Sequence, residues 1–150
     1  MKNTYDEAVK TLNDLIEICK DGEKGFQLAA EREKESDLSQ LFSRYSQERA
    51  KFAQELRQLV SRFGGNPENS GTVTGAAHRG WIQTKAAVTG DSTVTIVTEC
   101  ERGEDAAMHA YEEALKKELP PEALEVVQRQ FAQVREAHDR VRELEIQYKH

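Results

Sequence analysis

The sequence predicts an all-α protein built from four long amphipathic helices. Three observations carry this. Apolar residues recur at steps of three and four over four separate stretches of the 150 residues. Strand-type alternation is scarce, and only three prolines interrupt the chain. The balance of 37% hydrophobic and 32% charged residues suits helices with one buried stripe and a wide solvated face. A chain of this length is expected to form a single four-helix-bundle domain over residues 1–150.

The first helix is expected over residues 5–34. Thr4 and Glu7 have capping-box spacing. The stripe runs through Val9, Leu12, Ile16, Cys19, Glu23, Phe26 and Ala30, with the acid Glu23 in an apolar position. Gly22 beside it weakens a helix interior, which suits a helix or ligand approaching closely. Ser36-Asp37 is a stop and cap, and the second helix follows over residues 38–63. Its stripe of Leu38, Leu41, Tyr45, Glu48, Phe52, Leu56, Leu59 and Phe63 is interrupted by Glu48. Gly64-Gly65 ends it. A long connection then holds a short fifth helix over 74–88, with Trp81 plugging the bundle.

The next long helix is expected over residues 92–118. Its β-branched opening, Thr93 to Thr98, would pass for a strand by itself. With no convincing second strand to pair with, it reads as helix. Its stripe of Val94, Val97, Cys100, Glu104, Ala107, Tyr111 and Leu115 again carries an acid. Pro120-Pro121 separates it from the last helix over residues 122–148. There the intruder on Leu124, Val127, Phe131, Val134 and Val141 is His138.

The net charge of -6 argues against nucleic acid as a partner. No apolar run is long enough to span a membrane, and the first residues lack an apolar signal region. Cytoplasm is the expected compartment. Cys19 and Cys100 read as small core residues, with a redox pair as the alternative.

One motif recurs. Cys19-Lys20-Asp21-Gly22-Glu23 and Cys100-Glu101-Arg102-Gly103-Glu104 both read Cys-x-x-Gly-Glu. Counting from the hairpin joints puts Glu23 level with Glu48, and Glu104 level with the Arg135–His138 turn. The expected site is therefore Glu23, Glu48, Glu104 and His138, with Lys51 and Arg135 nearby. Two outcomes follow. The three carboxylates and the imidazole hold a metal, with iron, manganese or zinc suited to that donor set. Alternatively, the two bases pair with the acids and leave a buried ion-pair network.

These motifs, with His78-Arg79-Gly80-Trp81 and Glu136-Ala137-His138-Asp139, resemble a bacterial ferritin-like four-helix-bundle family of unknown function. The resemblance covers nearly the whole chain. It implies a ferritin-like fold, with a single long crossover between the second and third long helices. Carboxylate di-iron bundles of that fold use two Glu-x-x-His pairs. Here Glu48-Arg49-Ala50-Lys51 has lysine in place of histidine, and Arg135-Glu136-Ala137-His138 has arginine in place of glutamate. The expected function is metal binding, with iron or peroxide handling in stress. The alternative is a non-enzymatic bundle that self-associates, as a homodimer, or binds a partner.

Overall fold

The computed structural model describes residues 5–67 and 92–149. They form four helices and no strand: α1 (Asp6–Arg32), α2 (Ser36–Arg62), α3 (Thr93–Leu115) and α4 (Pro121–Lys149). The expected helix over 74–88, with Trp81, and the Thr4 cap lie outside the described residues. The β-branched opening of α3 is helical. Ser92 caps it, its Oγ accepting from the Thr95 amide at 3.2 Å. Ile96 and Val97 then bury completely, so tertiary packing outweighs their strand preference. At the end of α2, Gly64 takes a left-handed φ of 83° and stops the helix.

Cross-helix hydrogen bonds fix the directions. Ser46 and Ser39 of α2 donate to the carbonyls of Glu23 and Ala30 in α1, so α1 and α2 are antiparallel. Cys19 meets Tyr111 while Glu33 meets Thr93, so α1 and α3 are antiparallel. Asp105 meets His138 while Tyr111 meets Gln130, which sets α3 against α4. Glu55 pairs with Arg129 and Arg62 with Glu122, which sets α2 against α4. It follows that α2 and α3 run in the same direction. α2 ends where α1 begins, and α3 begins at the opposite end of the bundle.

The buried positions advance by alternating steps of four and three along every helix. In α1 they include Leu12, Leu15, Cys19, Gly22 and Phe26. In α2 the same rhythm joins Leu38, Phe42, Arg49, Phe52, Leu56 and Leu59. In α3 it joins Val97, Cys100, Glu104, Ala107 and Tyr111, and in α4 Val127, Gln130, Val134, Ala137 and Val141. Two apolar clusters result. One gathers Leu12, Leu56, Tyr111 and Val127 near the α1 start, and the other Phe26, Phe42, Val97 and Val141 toward the far end. A charged layer lies between them. No helix among the described residues is long and apolar enough to cross a membrane.

Candidate functional site

The charged layer is built from Gly22, Arg49 and Glu104. Arg49 and Glu104 are each 1% exposed, although they sit on helices that are not neighbours. The Arg49 guanidinium donates to both carboxylate oxygens of Glu104, at 2.7 and 2.6 Å. A fork on a carboxylate is the geometry that offsets the desolvation of both charges. Burial works against the Arg49 charge, but the Glu104 carboxylate more than restores it, so the guanidinium stays protonated. The Phe26 ring lies under it, 5.5 Å from centroid to guanidinium carbon. Gly22 leaves the necessary room: a Cβ there would stand 3.1 Å from Arg49 Nη1 and 3.3 Å from its Cγ. Arg49 Nε is buried with no hydrogen-bond partner.

Next to this layer a chain of hydrogen bonds leads from the core to the surface. Tyr111, fully buried, donates its hydroxyl proton to Gln130 Oε1 at 2.7 Å. That proton is then committed, so the contact of 3.2 Å between Cys19 Sγ and the Tyr111 oxygen has the thiol as donor. Burial pushes the Cys19 thiol up to about 11 and the Tyr111 phenol well above its ordinary value, so both keep their protons. Gln130 Nε2 donates to the Phe52 carbonyl and to Glu55 Oε1. Glu55 in turn is held by Arg129 at the surface, at 2.6 Å.

A domain of unknown function (DUF2383) matches residues 7–117, about three-quarters of the chain. The chain belongs to this family. No curated protein matches it. The DUF2383 match takes in α1 from Glu7 onward and all of α2 and α3, and with them Gly22, Arg49, Glu104, Cys19 and Tyr111. Gln130 and His138, on α4, fall beyond it.

Of the four residues expected to form a metal site, the DUF2383 bundle brings one to its centre. Glu104 is there, and Arg49 takes both its oxygens. Glu23 is half-buried beside the layer, because Gly22 occupies the inward position. Glu48 is half-buried toward the seam between α2 and α4, because Arg49 points inward in its place. His138 lies on the α3–α4 seam, 2.6 Å from Asp105 Oδ1 and 3.2 Å from Asp139 Oδ1. Among the described residues, no three His, Cys, Asp or Glu side chains gather as a group able to hold a metal. The four expected residues therefore do not gather as one group here. The physical reason is helix phase: adjacent residues point about 100° apart. Lys51 and Arg135 are exposed, and the buried cation is Arg49.

The repeated motif is thus used in two phases. In the first copy Cys19 and Gly22 are buried, while in the second Cys100 and Glu104 are. Cys19 and Cys100 are free thiols in different apolar clusters. Sequence reading missed Arg49, Gln130 and Glu99. The signal for Arg49 was present. Counting back from Phe63 by alternating four and three reaches Leu59, Leu56, Phe52, Arg49, Tyr45, Phe42 and Leu38. Glu99 is 1% exposed, its carboxylate accepts no hydrogen bond, and its ion-pair partner Arg102 is 3.5 Å away. Nothing in the local pattern marks it as buried.

The α3–α4 seam responds to pH. Burial disfavours charge on His138, but the hydrogen bonds to Asp105 and Asp139 outweigh it and raise its pKa above 6.5. Burial and a hydrogen bond to Glu145 push Glu101 up to about 7, with Asp105 adding and Arg142 opposing. Glu145 moves the other way and is held below its ordinary value beside Glu101 and Lys149. Both raised groups stabilise the fold fully below their unfolded values, 4.5 for Glu101 and 6.5 for His138. That stability is lost as pH climbs through the folded values. Glu48, raised mainly by burial, acts in the same direction. The thermal midpoint is therefore expected to fall as pH rises through about 7, where Glu101 titrates, and to go on falling above 6.5 as His138 loses its proton. Glu101→Gln should flatten the lower part of that decline and His138→Gln the upper part. Calorimetric scans that leave the decline unchanged in both variants would remove the seam as its cause.

Proposed function

We propose that this chain is a ferritin-like bundle without catalytic activity, working by self-association or by binding a partner. In this reading the Arg49 guanidinium occupies the place that a metal holds in carboxylate bundles of that kind. The observation that carries it is the forked Arg49–Glu104 pair at the middle of the bundle. A fixed internal cation neutralises the buried carboxylate as a divalent ion would. The parallel run of α2 and α3 supports the ferritin-like part, because it is the arrangement of a bundle with one long crossover.

The test is metal uptake. Chelator-treated protein is titrated calorimetrically with Fe²⁺ under anaerobic conditions, then with Mn²⁺ and Zn²⁺, and its mass is followed by light scattering. The expected result is no stoichiometric binding and a mass independent of metal. One equivalent of metal bound by the wild type and lost in Glu104→Ala would overturn the proposal. Iron, manganese or zinc on Glu23, Glu48, Glu104 and His138 would then take its place.

A further inference from the structure

We draw no further inference here: the strongest candidate, the cleft of about 280 Å³ between α1 and α3 lined by Leu15, Ile18, Ala106 and Ala110, is an unpartnered apolar face, and nothing in the structure shows what covers it.

Discussion

Arg49→Ala is expected to lower the free energy of unfolding by about 3–5 kcal/mol, the range for removing one partner of a buried pair. The loss comes less from the missing contact than from what stays behind. Glu104 is 1% exposed and has no other cation within ion-pair distance among the described residues, so it must be protonated or drag water into the core. The double variant Arg49→Met/Glu104→Leu removes both charges and fills the layer with apolar volume. It should recover most of the loss, since well-packed apolar residues replace a buried pair at little cost. Urea unfolding of the three proteins measures both effects. A single variant within about 1 kcal/mol of wild type would mean that the layer is wetter than its burial implies. In the wild-type background, Gly22→Ala is a milder probe of the same layer, because its Cβ presses on a flexible arginine rather than on backbone.

Tyr111→Ala is expected to destabilise the protein by about 3–5 kcal/mol, as large aromatic truncations in cores do. Tyr111 is fully buried and stacks beside Phe131 with centroids 6.5 Å apart. Tyr111→Phe separates volume from polarity. It keeps the ring and should cost about 1–2 kcal/mol, because Gln130 Oε1 loses its donor and the Cys19 thiol its acceptor. Denaturation curves give both numbers. The native Cys19 should resist thiol reagents in the wild type and react faster in Tyr111→Ala, where the cavity admits solvent. Equal losses in the two variants would show that the hydrogen bonds, and not the packing, hold this part of the core.

How much of this was legible in the sequence depends on the residue. Four helices were legible because periodicity is local: each stripe repeats over several turns within one stretch. The stops at Gly64 and Pro120-Pro121 were legible for the same reason. Glu104 was legible as a buried acid, since Val97, Cys100, Ala107 and Tyr111 leave only one phase for it. Glu48 was misplaced because α2 offers two phases. Leu41 and Phe42 are both apolar, and following Leu41 leads to Glu48 while following Phe42 leads to Arg49. Reading for carboxylates favoured the first route. Glu23 was misplaced in the same way, with Gly22 as the neighbour that points inward. His138 is buried as read, but it serves the α3–α4 seam and not the centre.

The sequence by itself determined the four long amphipathic helices of the described residues, each with one polar residue or more on its buried side. Hydrophobic spacing sets that, and it needs no information from the rest of the chain. Only the tertiary structure decided which polar residues meet. Arg49 and Glu104 are 55 residues apart on helices that are not neighbours, and their pairing exists only once α1 and α4 close around them. A difference of one residue turns a side chain by about 100°, which no single stripe resolves but a four-helix core does. That rotation separates a cluster of acids from an arginine fork on one glutamate.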